Sequence, residues 1–237
     1  MSDYFDYIDT SFDESIEKDG NFPWLPWIGK KFALSNTKTL ILGESTYNWS
    51  NREEDREKVK IRISKNDHLR IVHKNNAIDF KGKSPYARNI ERAIFFKKRP
   101  SRAEAKTLWS NVVYHNLILR AMPTKKHRPI YNDYINGWQA FINLVKIIPI
   151  DQCLVYGVDF EKVKSLKLVL DDKEITYTYK KINVSVGKSF PRRIHLTIDD
   201  REIKLLFVRH PSAFFKWREW GSIINNELVT KSITENY

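Results

Sequence analysis

The sequence predicts an α/β fold: a three-layer α/β/α sandwich built around a four-stranded, mainly parallel sheet. Four short apolar runs are hydrophobic without alternation, which is typical of strands that are covered on both faces. Segments with helical spacing separate these runs, and alternating strands and helices build parallel sheets. A chain of 237 residues, 41% of them hydrophobic, suits one domain with a sizeable core.

Four segments of the sequence are predicted to form these strands. In chain order they are "KTLILG" (residues 38–43), "NVVYHN" (residues 111–116), "QCLVYG" (residues 152–157) and "IKLLFVRH" (residues 203–210). We take residues 38–237 as a single domain, and residues 1–37 as an acidic lead-in that packs on it.

Helix signals lie between the predicted strands. Ser84 would cap a helix that begins at Pro85, and Ser101 with Glu104 has capping-box spacing. In "DYINGWQAFINLVKII", four candidate core residues fall on one helix face: Tyr134, Trp138, Phe141 and Val145. A charged stretch near residues 50–75 and a β-like stretch near residues 165–200 do not fit the alternation. We interpret both as insertions, the second as a hairpin that decorates the sheet.

The chain is basic, and its charge is unevenly distributed. The net charge is +12, and residues 1–20 contain seven acids and one base, which leaves 22 acids and 40 bases, a balance of +18, beyond residue 20. A basic body of this kind attracts polyanions, and nucleic acid is the expected partner.

Composition excludes several kinds of site. With the single Cys153, the chain can form no internal disulfide and no four-cysteine zinc or iron–sulfur site. The 6 histidines show no metal-binding spacing, so we expect neither a metal nor a cofactor. No apolar run is long enough to cross a bilayer and no charged start precedes an apolar segment, so we expect a cytoplasmic protein.

Polar side chains follow three of the predicted strands. Glu44 comes directly after the first, Asn116 ends the second and His210 ends the last. Because the carboxyl ends of parallel strands meet at one edge of a sheet, we expect these three side chains to converge. A glutamate can orient a water, an asparagine amide can bind the edge of a base, and a histidine can stabilise an oxyanion. Together they suit the hydrolytic loss of a nucleobase.

The same segments resemble the motifs of one enzyme superfamily. "LGESTY" resembles the first motif of the uracil-DNA glycosylase superfamily, written G-Q-D-P-Y in one branch and G-E-A-P-G in another. "YHNLI" resembles its strand-end asparagine motif, "NGWQAF" the G-W-x-x-F helix that follows, and "RHPSAFFKW" the final H-P-S motif with its DNA-intercalating loop. The resemblance spans roughly residues 38–222. It implies that superfamily's fold and a monomeric DNA glycosylase from a bacterium or a phage.

The resemblance assigns expected roles to individual residues. Gly43 would make the tight turn, Glu44 would activate water, Asn116 would read the base edge and His210 would face the carbonyl oxygen of the departing base. Tyr47 falls where one branch blocks the 5-position of the base. The remaining expected positions are Ser45 and Tyr86 in the base pocket, with Arg209, Ser212, Phe214, Phe215, Lys216 and Trp217 at the DNA. The three aromatic residues of that loop are alternatives for filling the gap left by a flipped nucleotide.

Departures from the motifs leave the substrate open. Thr46 replaces the usual proline and Ser45 the aspartate of one branch, so the acid is Glu44 or is supplied elsewhere. The G-E-A-P-G branch carries an iron–sulfur cluster that a single cysteine cannot hold, which implies an unusual branch. An asparagine amide can read a uracil-like or a cytosine-like edge. Tyr47 favours uracil, whereas the insertion after it favours a bulky base such as the glucosylated hydroxymethylcytosine that anti-phage members remove.

Two other functions fit the same residues. A catalytically silent nucleic-acid-binding protein could keep the fold, and an enzyme acting on free nucleosides could use the same scaffold. We interpret four histidines as surface or incidental residues, namely His68, His73, His127 and His195, and His115 as structural. The basic clusters at residues 97–99 and 125–128 flank the strand ends where DNA would lie.

Overall fold

The computed structural model describes residues 4–48, 50, 52–81, 84–124, 126–212 and 214–235. Within these residues a mixed sheet is flanked by helices. Its strands are β1 (Trp27–Ile28), β2 (Thr39–Gly43), β3 (Val112–Asn116), β4 (Gln152–Tyr156), β5 (Tyr177–Lys181), β6 (Arg192–Ile198) and β7 (Arg201–Val208). The class is therefore α/β, as predicted.

The four predicted strands form the contiguous centre of the sheet. The strand order is β1-β3-β2-β4-β7-β6-β5, and β3, β2, β4 and β7 pair in parallel. The predicted number of strands is wrong, because seven described strands form the sheet. The antiparallel strands β1 and β6 cover the two edges of the parallel centre, and β5 pairs outside β6. Edge strands expose unpaired backbone groups, and the added strands satisfy those groups at both sides.

The helices largely follow the sequence signals. They are α1 (Asp13–Asp19), α2 (Arg56–Ile63), α3 (His68–His73), α4 (Pro85–Phe95), α5 (Arg102–Ser110), α6 (Tyr131–Ile147), α7 (Phe160–Asp172), α8 (Trp217–Glu227) and α9 (Lys231–Thr234). The capping box of Ser101 and Glu104 is present, and the four core candidates of α6 are buried. Ser84 does not cap α4, because its hydroxyl donates to Asn76 Oδ1 instead.

Residues of the central strands alternate between two apolar cores. Leu40 and Leu42 of β2 pack in the core that contains α6 and α7, whereas Ile41 packs in the core that contains α4, α5 and α8. Cys153 of β4 is fully buried in the first core, where burial raises the pKa of its thiol well above the ordinary value. Two apolar layers on opposite faces account for the unbroken hydrophobic runs of the central strands.

The N-terminal residues are part of this fold. Ile16 of α1 is fully buried, and Asp13 forms a bidentate ion pair with the buried Arg70 of α3 at 2.6 and 2.7 Å. Arg70 Nε also donates to the carbonyl of Pro26. Part of the acidic lead-in therefore neutralises a buried guanidinium, and its strand β1 extends the sheet.

The two predicted insertions form ordinary elements. Residues 52–78 contain α2 and α3, with short helical turns before and after them. Of the second segment, the part up to residue 172 belongs to α7, and the predicted hairpin is β5 and β6, whose second strand pairs with β7. Among the described residues, no helix combines the length and the hydrophobicity needed to span a membrane.

Candidate active site

A cleft of about 1180 Å³ opens at the carboxyl ends of the parallel strands. It brings together Glu44, which follows β2, Asn116, which ends β3, and His210, which follows β7. The three residues are far apart in the sequence. The other predicted residues that line it are Ser45, Tyr47, Tyr86, Arg209 and Ser212. The predicted DNA-contacting residues from 214 to 217 do not line the cleft.

The segments that follow β2 and β3 stay hydrogen-bonded to each other beyond the strands. The amides of Leu117 and Ile118 donate to the carbonyls of Gly43 and Glu44 at 3.0 and 2.8 Å. Farther along, Met122 N donates to the carbonyl of Thr46, and Asn48 N donates to the carbonyl of Met122. The backbone that carries Glu44 is therefore held on its neighbour rather than in a loose loop.

Gly43 makes room for the asparagine of the adjacent strand. The two residues are register partners in the pairing of β2 with β3. A methyl group on Gly43 would lie 2.5 Å from Asn116 Oδ1 and 2.6 Å from Tyr114 Oη. Glycine is needed here for the close approach of two side chains, not for the tight turn that the motif suggested.

Tyr114 orients the amide of Asn116. The phenol Oη donates to Asn116 Oδ1 at 3.1 Å, and both side chains are buried. Burial raises the pKa of Tyr114 well above its ordinary value, so the phenol keeps the proton that it donates. With Oδ1 turned towards Tyr114, the Asn116 amide has its Nδ2 donor available to a ligand.

Glu44 is paired with a buried lysine. Lys162 Nζ lies 2.7 Å from Glu44 Oε1, and the exposed fractions of the two side chains are 0% and 16%. Burial acts to raise the pKa of Glu44, but the charge and hydrogen bond of Lys162, with His210 and Arg128, bring it below the ordinary value. Glu44 is therefore ionised at neutral pH.

His210 is held in a defined tautomer. The amide of Ser212 donates to His210 Nδ1 at 3.2 Å, which leaves the proton of the neutral ring on Nε2. The loop is fixed by Asn89 of α4, whose amide donates to the carbonyl of Pro211. Burial lowers the pKa of His210 more than the Glu44 carboxylate raises it. The ring is therefore neutral near pH 7 and offers one N–H donor.

One wall of the cleft is aromatic. The rings of Tyr86 and Tyr114 stack with centroids 5.7 Å apart, and His73 stacks on Tyr114 at 4.3 Å. His73 is fully buried, and burial, helped by Arg88, lowers its pKa to about 3. The interpretation of His68 and His73 as surface or incidental residues is wrong, because both are buried in α3. His115 is structural, as expected, with its ring nitrogens bonded to the carbonyls of Asn116 and Trp24.

Tyr47, the residue expected to block the 5-position of a base, lies at the cleft. It lines the cleft, packs against the core that contains α6, and pairs with Met122 in an isolated bridge. Its backbone is therefore fixed at the cleft in spite of Thr46, which itself contacts His68 Nε2 through its hydroxyl at 3.3 Å.

The predicted DNA loop contains one fully accessible aromatic ring. Phe214 is 89% exposed and has a left-handed backbone, with φ 50°. Phe215 is 9% exposed and stacks on Trp220 inside the core. Trp217 is half-buried against Phe96 at the start of α8. Of the three candidates for a wedge, the structure exposes Phe214 on the surface and packs Phe215 below it.

Charged groups lie along the cleft and, separately, in the predicted DNA loop. Arg128 and Asp159 line the cleft, and Arg209, which also lines it, donates to Ser189 Oγ at 3.2 Å. Lys216 is exposed beside Glu219, with their charged atoms 3.6 Å apart. Of the basic cluster at 125–128, Lys125 lies outside the described residues.

The sequence reasoning missed Lys162 and Tyr114. Lys162 falls on the same face of α7 as Leu166 and Leu170, at spacings of four, and all three are buried. A lysine on an apolar helical stripe is a usable signal, since lysine is almost never fully buried without a partner. Tyr114 gives no such signal, because a tyrosine in a buried strand is ordinary.

Comparison with known proteins assigns neither a family nor a function to the chain. The sequence matches no protein-family model and has no significantly similar counterpart among curated proteins. What the cleft does must therefore be argued from its own residues.

Proposed function

We propose that this protein is a monofunctional DNA glycosylase, which flips a pyrimidine nucleotide out of DNA and hydrolyses its N-glycosidic bond. The observation that carries the proposal is the convergence of Glu44, Asn116 and His210 in one cleft at the carboxyl edge of the parallel sheet. The motif resemblance to the uracil-DNA glycosylase superfamily supports it, and so does the charge balance of +18 beyond residue 20.

In the proposed reaction the bond between C1′ of the sugar and N1 of the base breaks, and its electron pair leaves with the base. The neutral His210 donates its Nε2 proton in a hydrogen bond to the base oxygen on which negative charge develops. A single donor of this kind is worth about 3 kcal/mol. Asn116 donates from Nδ2 to an acceptor on the base edge and holds the base in the cleft.

Glu44 acts on the sugar side of the same bond. Its carboxylate stabilises the positive charge that develops at C1′ and orients the attacking water, whose oxygen forms the new bond to C1′. One water proton passes to solvent or to the departing base, and the products are an abasic site and a free base. We expect a contribution of roughly 10²- to 10⁴-fold in rate.

The proposed enzyme forms no imine with the sugar. No lysine is among the described residues that line the cleft, and the nearby Lys162 is fully buried behind Glu44. Strand cleavage after base loss should therefore need heat or alkali.

The substrate is proposed to be uracil or a modified pyrimidine, and two observations bear on the choice. Tyr47 is fixed at the rim, which favours uracil because a tyrosine there would clash with a large 5-substituent. The cleft, at about 1180 Å³, exceeds the range of about 300–1,000 Å³ that is typical of small-molecule sites, which favours a bulky base such as glucosylated hydroxymethylcytosine.

The test measures abasic sites formed by the purified protein on two kinds of DNA. One is a duplex with a single uracil, and the other is phage DNA with glucosylated cytosines. Glu44→Gln and His210→Ala should each lose most of the activity. Glu202→Gln is the matched control, because β7 begins at Arg201 and the cleft lies at the other end of the strand. If neither DNA gains abasic sites, or if both cleft variants keep the parental rate, the proposal is wrong.

A catalytically silent DNA-binding protein is the second candidate. The ion pair of Glu44 with Lys162, which occupies Oε1, favours it, because an occupied carboxylate is a weaker general base. This candidate predicts DNA binding that survives Glu44→Gln and yields no abasic product. An enzyme acting on free nucleosides would bind its substrate with little dependence on salt concentration. A chain with a charge balance of +18 beyond residue 20 should instead bind DNA, with an affinity that falls steeply as the salt concentration rises.

A further inference from the structure

Lys162 lies in the first turn of α7, underneath the cleft. Its Nζ donates to two oxygens, Glu44 Oε1 at 2.7 Å and the carbonyl of Tyr156 at 2.6 Å. Asp159 Oδ2 lies farther away, at 3.9 Å. The ammonium group thus joins the end of β4 to the acid that follows β2.

The surrounding chain is built to admit this lysine. Gly157 has a φ of +96°, and a methyl group there would lie 2.3 Å from Lys162 Nζ. The carbonyl of Lys162 accepts hydrogen bonds from Trp138 Nε1 and from Ser165 Oγ, both at 2.9 Å. The two side-chain donors therefore fix the backbone of Lys162, and Gly157 leaves the space that its ammonium group occupies.

We propose that Lys162 is a positioning residue for Glu44. Lys162 keeps the Glu44 carboxylate ionised and holds it at the cleft. The inference rests on the proposed function. Lys162 occupies Oε1, so Oε2 is the oxygen available to a water or to the sugar. Burial without such a partner raises the pKa of a carboxyl group and favours its protonated form.

Two other roles for Lys162 fit the geometry less well. A nucleophilic lysine must reach the sugar, yet this side chain is fully buried and does not line the cleft. A purely structural lysine would need a counter-ion for its buried charge, and the nearby Asp159, at 3.9 Å, could serve as one. The shorter contact, at 2.7 Å, is made instead with Glu44, one of the three polar residues that converge in the cleft.

The protonation of Glu44 depends on several groups that face it. His210 follows β7, Arg128 precedes α6, Tyr134 lies on α6, and Asp159 precedes α7. His210 and Arg128 favour the ionised carboxylate, as Lys162 does, and they remain when Lys162 is replaced. The effect of removing Lys162 should therefore be partial and not an all-or-none loss.

The experiment compares Lys162→Met with Lys162→Arg by two readouts. The first is the pKa of the Glu44 carboxyl, measured by carbon NMR of protein with labelled glutamate, in which Glu44→Gln identifies the signal. We expect it to rise by at least about one unit in Lys162→Met and to stay low in Lys162→Arg. The second readout is the pH profile of base release. The acidic limb of Lys162→Met should move upward by as many pH units as the carboxyl pKa rises, with at least about a tenfold loss at pH values below both pKa values and a return towards the parental rate by pH 8.

Each outcome decides something. An unchanged Glu44 pKa in folded Lys162→Met overturns the inference, and so does an activity loss that is the same at all pH values. If Lys162→Met does not fold, Lys162→Gln and Gly157→Ala are used, since the second displaces Nζ and keeps the lysine. If the parent protein releases no base, the proposed function fails, while the NMR readout still decides whether Lys162 controls Glu44.

Discussion

Gly43 and Asn116 are register partners across β2 and β3, and the glycine leaves the space that the Asn116 amide occupies. This relationship explains why an apolar strand ends in glycine just before a carboxylate. It places the Asn116 amide and the Glu44 carboxylate, the proposed base reader and the proposed acid, at the ends of adjacent strands, one residue apart along the edge of the sheet.

We predict that Gly43→Ala abolishes most base release while the protein still folds. The new methyl group would lie 2.5 Å from Asn116 Oδ1, so the amide must move, and a displacement of about 1 Å can cost about 10²-fold in rate. Overpacking should also lower the free energy of unfolding by about 1–3 kcal/mol. Single-turnover kinetics and urea unfolding measure the two effects.

The control for Gly43→Ala is Gly20→Ala. Gly20 has a φ of +72° at the end of α1, with no atom near the added methyl group. This variant should lose about 1 kcal/mol through backbone strain and keep its activity. If Gly43→Ala keeps the parental rate, the close approach of Asn116 has no functional role.

Tyr114→Phe should weaken the reading of the base. The variant loses the phenol that donates to Asn116 Oδ1, so the amide can turn over. A hydrogen bond contributes about 0.5–1.5 kcal/mol, so kcat/KM should fall up to about tenfold, and the preference for one base edge over the other should narrow. Competition between uracil-containing and modified DNA measures the preference. Tyr179→Phe on the outer strand β5 is the control, and equal behaviour of the two variants would contradict the assignment.

Phe214→Ala should slow base release from duplex DNA and spare release from single-stranded DNA. A flipped nucleotide leaves a gap in the stack, and Phe214, whose ring is exposed, is the residue that we propose fills it. We expect a loss of about tenfold on duplex, no change in melting temperature, and recovery with Phe214→Leu. Phe5→Ala, another exposed phenylalanine, is the control. An equal loss on both kinds of DNA would argue against a wedge.

His73→Phe should make stability less sensitive to acid. The native ring stays neutral down to a pKa of about 3, whereas the unfolded ring has the ordinary value of 6.5. The unfolded state therefore takes up a proton first, and this contribution to stability, complete above pH 6.5, is lost as the pH falls towards 3. Replacing His73 should reduce the slope of the free energy of unfolding against pH by up to about 1.4 kcal/mol per pH unit. Urea unfolding between pH 7.5 and 5 measures it.

Val72→Ile supplies the control for that experiment, since it changes a neighbouring residue of α3 without adding or removing a titrating group and should leave the slope unchanged. His68, whose pKa burial lowers to about 4, acts in the same direction and remains in both variants. A slope in His73→Phe equal to the parental slope would show that His73 does not titrate as a buried neutral ring.

The central strands and their polar ends could be predicted from the sequence, because burial on both faces leaves an unbroken apolar run. Of the strands that complete the sheet, β5 and β6 could be predicted as a hairpin, whereas β1 and the pairing of β6 with β7 could not. Trp27–Ile28 is too short to give a pattern, and β6 differs from a separate hairpin only by its pairing with β7. Which edge a strand joins is decided by tertiary contacts that a local pattern does not contain.

Part of the candidate site could also be predicted from the sequence, namely its strand-end residues but not their partners. Glu44, Asn116 and His210 could be found because each follows a strand whose end lies at a known edge. The partner of Glu44 is 118 residues away, and no local spacing indicates the pair. Phe214 and Phe215 are neighbours of the same type, and only the packing of Phe215 on Trp220 tells them apart.

The hydrogen bonds that continue beyond β2 and β3, up to Asn48 and Met122, have a consequence for how a ligand is met. A loop that becomes ordered only on binding loses conformational entropy at that moment, and the affinity is reduced accordingly. Here the segment that bears Glu44 has already lost that freedom during folding. Glu44 is therefore carried by a preorganised segment, and a ligand that enters the cleft has to rearrange itself but not this wall of the protein.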